Sequence, residues 1–272
     1  MNHLDHLDPR YSRSVAYFSM EFAIHQALKI YSGGLGFLSG SHMRSIYDLR
    51  QNVRAVGILW SYGYYDQSRN EDNTMRIAYR RKSYSFLDDT GITVPVTISG
   101  NTVMVKAYLL RPETFGTAPI YLLTTDIPEN DYLSRTITHK LYEAQEETRI
   151  AQEIVLGIGG AKVLDAAGYE PEVYHLNEGH ALPLAFHLYK KFGHSVDEVR
   201  KHMVFTTHTP EMAGNEEHDI YLLQRMGFFE DLPLETVRQI TGIYEDRFSL
   251  TLGALRLSKI ANAVSKIHEK VS

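Results

Sequence analysis

The sequence predicts an α/β fold, a parallel sheet covered by helices, and three observations carry that expectation. Between residues 15 and 60 the chain reads as strand, glycine turn, helix, strand, which is a βαβ unit. From Asp131 onward short apolar runs again alternate with helical spacing. The composition, 272 residues with 43% hydrophobic and 22% charged, is ordinary for a globular chain of one large domain or two small ones.

Taken in order, residues 1–14 are polar and His-rich and read as a surface arm. Val15 to Met20 is a short buried strand, and the glycine loop Ser32-Gly33-Gly34-Leu35-Gly36 follows. Leu38, Met43, Ile46 and Leu49 then lie near one helical face, and Val53 to Trp60 is the second strand. From about Tyr62 to Thr125 the chain turns β-rich. Two apolar runs flank Ser99-Gly100-Asn101 as a hairpin, and Pro119 to Thr124 is a further strand. This segment is either an insertion on the α/β core or a shift within its sheet; no linker separates it, so one domain over 1–272 is expected. Ile150, Ile154, Ile158 and Ala161 follow helical spacing with Gly157, Gly159 and Gly160 among them. Each glycine costs a helix about 1 kcal/mol relative to alanine, which close approach of another backbone would offset. Val173 to Leu176 and Met203 to Thr207 read as strands, Gly179 to Lys190 as a helix, 217–258 as mostly helical, and Ile260 to Val264 as a last strand.

Composition excludes several functions. Lys plus Arg is 28 against 33 for Asp plus Glu, a net charge of −5, which argues against a nucleic-acid backbone as partner. Without cysteine there is no disulfide scaffold, thiol catalysis or thiolate metal site. No run approaches the roughly 18 apolar residues of a membrane span, and the first twenty residues lack a signal-peptide core, so a cytoplasmic, membrane-free protein is expected.

Chemistry is expected in three places. Gly33-Gly34-Leu35-Gly36 opens a helix, where bare amides and the helix dipole attract anions and sugar hydroxyls; a tight turn alone would read the same way. His175-Leu176-Asn177-Glu178-Gly179-His180 joins a strand end to a helix, where ligands gather in open α/β sheets. Its His and Glu are metal-ligand types, but the spacing is not that of a zinc helix, so no metal is expected; helix capping is the structural alternative. Thr206-Thr207-His208-Thr209-Pro210 closes another strand with a polar rim suited to neutral hydroxylated ligands, or with a brace for the neighbouring loop. Glu146-Glu147 reads as a solvated face.

With these motifs on the page the chain resembles the α-glucan (glycogen, starch, maltodextrin) phosphorylase family, most of all its shorter bacterial and archaeal branch. The resemblance lies in Ala16 to Phe22, Tyr31 to Gly36, Gly63-Tyr64-Tyr65-Asp66-Gln67, Gln152 to Gly160, Tyr174 to His180, Phe205 to Pro210, Ala213-Gly214-Asn215 and Val264 to His268, in family order. It implies the N-terminal, Rossmann-like domain of a GT-B glycosyltransferase, with an α/β core at about 15–60 and 131–272 and the β-rich segment as an insertion. It implies phosphorolysis of α-1,4-glucan to α-glucose 1-phosphate with retention. Pyridoxal phosphate and the phosphate-binding Arg and Lys would belong to a C-terminal domain that has no match here, so the chain alone is expected to lack the cofactor and activity. By the same resemblance His180 is the active-site histidine that holds a glucose hydroxyl. Gly33, Gly34, Leu35 and Gly36 lie against phosphate and glucose, and Asn177, Glu178, His208 and Thr209 are their neighbours. Two departures are Ser41, where relatives carry an acidic residue, and Glu211-Met212, where they carry a more apolar pair. The expected partners are glucan, phosphate, the second domain and, through exposed apolar surface, further copies of the chain. A GT-B glucan synthase is a second reading, although Tyr31 stands where its donor lysine would. A non-catalytic carbohydrate-binding domain is a third, and a zinc hydrolase, resting only on the histidines, a fourth.

Overall fold

The computed structural model describes residues 11–208 and 216–265. Its strands are β1 (Val15–Phe18), β2 (Val53–Ile58), β3 (Asp66–Arg69), β4 (Met75–Ala78), β5 (Asp88–Ile98), β6 (Asn101–Leu110), β7 (Ile120–Thr124), β8 (Val173–Asn177), β9 (Met203–Thr207), β10 (Glu217–Asp219), β11 (Arg247–Ser249) and β12 (Ile260–Ala263). Its helices are α1 (Gly34–Asp48), α2 (Pro112–Phe115), α3 (Tyr132–Thr136), α4 (Glu146–Ile154), α5 (Gly160–Ala166), α6 (Pro183–Lys191), α7 (Val196–His202), α8 (Ile220–Met226), α9 (Leu234–Thr241) and α10 (Leu250–Arg256). Eight strands form one sheet in the order β12-β9-β8-β1-β2-β7-β6-β5. From β12 to β7 neighbours are parallel, and β6 and β5 add on antiparallel.

The sheet grows from β1 in both directions. On one side the chain runs β1 to β2; on the other β1 pairs with β8, reached only after residue 170. The strand order therefore reverses between β1 and β8, the place where open α/β sheets leave a crevice beyond their carboxyl ends. The loops after β1, β8 and β9 all open there. Both faces of the central strands are covered: Tyr17, Phe18, Val56, Leu122, Leu176 and Phe205 are buried. Continuous apolar runs are what a parallel sheet buried on both sides requires.

The β-rich segment is mostly sheet rather than insertion. β7 pairs parallel with β2, and β6 and β5 extend the same sheet; among the described residues only the β3–β4 hairpin stands apart from it. The turn expected at Ser99-Gly100 is present, with both residues at positive φ (49° and 77°), the geometry that matches the twist of a two-residue hairpin. The stretch expected to be mostly helical after residue 217 also holds β10 and β11, which pair antiparallel around α8 and α9. The polar arm falls mostly on residues 1–10, outside the described residues.

Helix α1 buries a different face from the one its leucines suggest. Gly36, Ser39, Gly40, Met43 and Ile46 are buried, whereas Leu38 and Leu49 are exposed. Small residues win because the helix lies directly on the loop after β1. The Ala23 amide donates to the Gly36 carbonyl at 2.8 Å, and a Cβ on Gly40 would sit 2.2 Å from the Ala23 carbonyl oxygen. Gly40→Ala should accordingly destabilise the chain by about 1–3 kcal/mol, read as a lower urea midpoint; an unchanged midpoint would mean that the contact is absent.

The glycines of the 150–166 helix have a comparable cause. α4 and α5 are one helix joined by a π turn over Val155–Gly159. A Cβ on Gly157 would lie 2.8 Å from both the Ala181 carbonyl oxygen and the Leu184 amide nitrogen. That helix thus packs backbone against backbone on the segment that carries His180.

Candidate functional site

A pocket of about 240 Å³ opens at the switch point, lined by Leu35 of the glycine loop, Glu178, Gly179 and His180 after β8, His208 after β9, Tyr142, Glu216, and Leu250 and Thr251 of α10. Its size suits one sugar ring better than a drug-sized ligand. The three motifs singled out in the sequence therefore meet in one place. Gly33, Gly34 and Gly36 form the loop beside Leu35, and Asn177 lies just behind. Thr209 lies outside the described residues, as do Ala213 to Asn215 and Lys266 to His268.

Hydrogen bonds sew the three strand ends together. The Asn177 side-chain amide donates to Ser19 Oγ at 3.1 Å, and Ser19 Oγ donates to the Glu21 carbonyl at 3.0 Å. This leaves Asn177 Oδ1 as acceptor for His208 Nε2 at 2.6 Å, which assigns the proton of that ring to Nε2. Glu178 Oε1 accepts the His208 backbone amide at 2.5 Å, and the Glu178 amide donates to the Thr206 carbonyl at 2.9 Å. Thr206 and His175 are bracing residues: His175 Nε2 meets Thr206 Oγ1 at 2.7 Å, and Thr206 Oγ1 donates to Asn262 Oδ1 at 2.8 Å.

Glu178 is held in a conformation that side chains rarely adopt, φ 70° and ψ 174°. Such a backbone costs about 1–3 kcal/mol and persists where surrounding bonds over-determine it, which marks a site. Burial, opposed by the His208 amide and reinforced by Glu216, pushes its carboxyl up from 4.5 to about 7. The folded pKa is raised, so the stabilisation from this group is complete below about pH 4.5 and lost as pH climbs through about 7. His180 and His175 act with the opposite sign. Burial lowers both from 6.5 to about 4, so their contribution is present above about pH 6.5 and lost as pH falls towards about 4. Glu178→Gln should thus flatten the alkaline limb of the stability profile by roughly 2–3 kcal/mol between pH 5 and 8, measured by urea unfolding; an unaltered limb would place the titration elsewhere.

The glycine loop is wrapped around Glu21. This buried carboxylate accepts the Ser32 and Gly33 amides on Oε2 at 2.5 and 3.2 Å, and the Tyr142 hydroxyl on Oε1 at 2.6 Å. Two of the amides expected to await a ligand are therefore taken by the protein itself. The next ones, Gly34, Leu35 and Gly36, stand in the first turn of α1, where no intrahelical carbonyl reaches them. Nothing lies within 4 Å of a Cβ built on Gly33 or Gly34, whereas one on Gly36 would strike Tyr31 Cβ at 2.7 Å and Glu21 Oε2 at 2.8 Å. Gly36 serves packing, and Gly33 and Gly34 leave open approach to the loop.

The floor of the pocket is charged. Arg149 Nη2 pairs with Glu216 Oε1 at 2.7 Å, and its guanidinium lies 4.7 Å over the Tyr142 ring. Burial opposes ionisation of Glu216, but His180 and Arg149 overcome it and hold the carboxyl at about 2. With His180 neutral at pH 7, Arg149 is the cation left beside Glu216 there. Glu153, wholly buried, is pushed well above its ordinary value by burial and then by Glu216. Glu153, Glu216 and His218 offer ligand atoms within 4.8 Å of one another. A divalent cation there would have to displace Arg149 from Glu216. Glu146 is exposed, as expected of a solvated face, and from there meets His218 Nδ1 at 2.8 Å.

Sequence reasoning missed Glu21, Tyr142, Arg149 and Glu216 as site residues. Glu21 follows Tyr17-Phe18-Ser19-Met20, so the strand end pointed to it; the other three carry no local signal.

Over 95% of its length the chain is 54% identical to an uncharacterized protein of Methanocaldococcus jannaschii, covering 49% of that protein. It is 34% identical over 97% of its length to the maltodextrin phosphorylase of Thermococcus litoralis, and 34% over 95% to the glycogen phosphorylase of Mycobacterium tuberculosis, covering 33% of each. The chain is a homologue of proteins named maltodextrin phosphorylase and glycogen phosphorylase. It spans about half the length of the first of these relatives and a third of the other two. No protein-family model matches it. Among the described residues no helix is long and apolar enough to cross a membrane.

Proposed function

We propose that this chain forms the glucan-facing half of the active cleft of a cytoplasmic α-1,4-glucan phosphorylase of GT-B architecture. The completed enzyme transfers a terminal glucose to phosphate and releases α-glucose 1-phosphate with retention. The observation that carries the reading is the convergence of Leu35, Glu178, His180 and His208 from separate segments on one pocket at the sheet's switch point, in a chain whose named relatives are phosphorylases. His180, buried and uncharged, orients a sugar hydroxyl without adding charge, and Glu216 accepts from hydroxyls. Asn177 holds His208 in one tautomer, and the amides of Gly34 and Leu35 face charge that develops during transfer.

Pyridoxal phosphate supplies a phosphate that donates a proton in this chemistry. The pocket does not fit it: no lysine is among the lining residues, and Glu178 and Glu216 turn two carboxyl groups toward any phosphate. We assign the cofactor and the phosphate-binding cations to a second domain. The pocket as built suits a neutral sugar.

Joined to a cofactor-bearing second domain, the chain should release glucose 1-phosphate from maltoheptaose and phosphate, and alone it should release none. Glucosyl transfer from ADP-glucose or UDP-glucose without phosphorolysis would replace this reading by the synthase one.

A further inference from the structure

We infer that Glu153, Glu216 and His218 form a site for a single divalent ion of the zinc class beneath the sugar pocket, and that this ion competes with Arg149 for Glu216. The inference does not depend on the glucan reading of the pocket.

Two short stretches build the site. On α4, Glu146, Arg149 and Glu153 recur at helical spacing and share one face. Opposite them, Glu216 immediately precedes β10 and His218 lies within it, two residues apart, so both side chains leave the extended chain on one side. One ligand atom from each of Glu153, Glu216 and His218 lies within 4.8 Å of the other two. Around a tetrahedral zinc ion such atoms stand about 3.3 Å apart, so modest side-chain rotation closes the set.

Two observations separate this cluster from a chance gathering of acids. Buried side-chain atoms that no protein group hydrogen-bonds collect here: Glu153 Oε1 and Oε2, Glu216 Oε2 and His218 Nε2. Glu153 is wholly buried, and His218 nearly so. Buried polar atoms are almost always paired. The Glu146 contact is the second observation. His218 Nδ1 meets Glu146 Oε1 at 2.8 Å, and because a carboxylate only accepts, the proton lies on Nδ1. The neutral ring therefore turns its lone pair, on Nε2, toward the two carboxyl groups. All four orphaned atoms are then acceptors, and only a cation or a proton can join them. A histidine whose outer N–H is fixed by a carboxylate, with the inner nitrogen facing further carboxylates, is the usual arrangement at a metal. The imidazole favours zinc over magnesium or calcium, which prefer oxygen alone.

Arg149 is the competitor. Its Nη2 pairs with Glu216 Oε1 at 2.7 Å, but its Nε stands 3.9 Å from Glu153 Oε1, too far for a hydrogen bond. The guanidinium thus satisfies one oxygen of Glu216 and leaves the other three carboxyl oxygens of the pair unbonded. An ion takes Glu216 from it, while the stacking of Arg149 over Tyr142 is free to persist. Glu216 also lines the sugar pocket, so occupancy resets one wall of that pocket.

The test titrates zinc chloride into the chelator-stripped 272-residue chain by calorimetry, with melting temperatures measured alongside. The wild type should bind a single ion saturably and melt higher with it. His218→Ala should bind about a hundredfold more weakly. Glu146→Ala, a change at an exposed residue, should bind about ten- to a hundredfold more weakly while keeping its zinc-free melting temperature. Arg149→Leu should bind about tenfold more tightly, and zinc should restore the melting temperature that this variant loses. If His218→Ala and Glu146→Ala both bind zinc as the wild type does, the ion sits on other histidines and the site is refuted. If the wild type shows no saturable binding, or Arg149→Leu binds no more tightly than it, protons and Arg149 satisfy the cluster and the proposal falls.

Discussion

Replacing Arg149 by leucine is expected to cost the chain about 3 kcal/mol of stability at neutral pH. The arginine is the cation beside Glu216, at 2.7 Å, and also faces Glu153 at 3.9 Å. Without it Glu216 must either stay ionised in a largely buried setting or take up a proton. Breaking a buried pair costs about 3–5 kcal/mol, and the lower end applies because the Glu216 side chain is 30% exposed. The pH dependence gives the mechanism away. In the wild type the Glu216 pKa is depressed to about 2, so its contribution is present above about 4.5 and lost as pH falls through about 2. In the variant the same group titrates upward, so the penalty should be large at pH 7 and shrink towards pH 5. Arg149→Lys should fall between the two, since an ammonium restores the charge without the planar contact to Tyr142. Guanidinium unfolding at both pH values decides it: a loss in Arg149→Leu below about 1 kcal/mol, or one independent of pH, would show that Glu216 reaches water unaided.

The second large effect is catalytic and divides the glycine loop. Gly34→Val in the proposed two-domain enzyme should lower phosphorolysis by about a hundredfold or more, since it places a branched side chain over amides proposed to face the transferred group. The same change should leave the stability of the chain within about 1 kcal/mol, because nothing lies within 4 Å of the new Cβ. Gly36→Ala should do the reverse. Its Cβ would enter the space of Tyr31 and Glu21, so loss of stability accompanies any loss of activity. Steady-state rates of glucose 1-phosphate release, set against melting temperatures, separate the two. Full activity in the Gly34 variant would remove the loop from the substrate-facing role and leave it a turn.

Much of this was legible in the sequence because it is local. Gly33 to Gly36, Asn177 to His180 and the His208 segment are consecutive residues at strand ends, and their positions follow from apolar runs meeting turn residues. Where the sequence reading erred, the cause was local as well. Helix α1 was read from Leu38, Met43, Ile46 and Leu49, of which Met43 and Ile46 are buried; the rest of the buried face is set by Gly36 and Gly40, which permit a backbone contact that no hydrophobic pattern records. For the β-rich segment the sequence left an insertion and a shift within the sheet both open, because antiparallel hairpins differ in rhythm from βαβ units; β5 to β7 join the same sheet.

The rest of the site is tertiary. Glu21 and Tyr142 are separated by 121 residues and meet at 2.6 Å. Arg149 and Glu216 come from elements that share no motif, and no pattern in the sequence pairs the exposed Glu146 with His218. By itself the sequence determined the α/β class, the glycine loop and the two histidine-bearing strand ends, because turn chemistry and apolar periodicity act between near neighbours. Only the tertiary structure decided which carboxylate occupies the loop amides, which histidines brace or line the pocket, and which cation holds Glu216. Those outcomes depend on burial and on charges a few ångströms apart, and neither quantity exists until the sheet has closed on its helices.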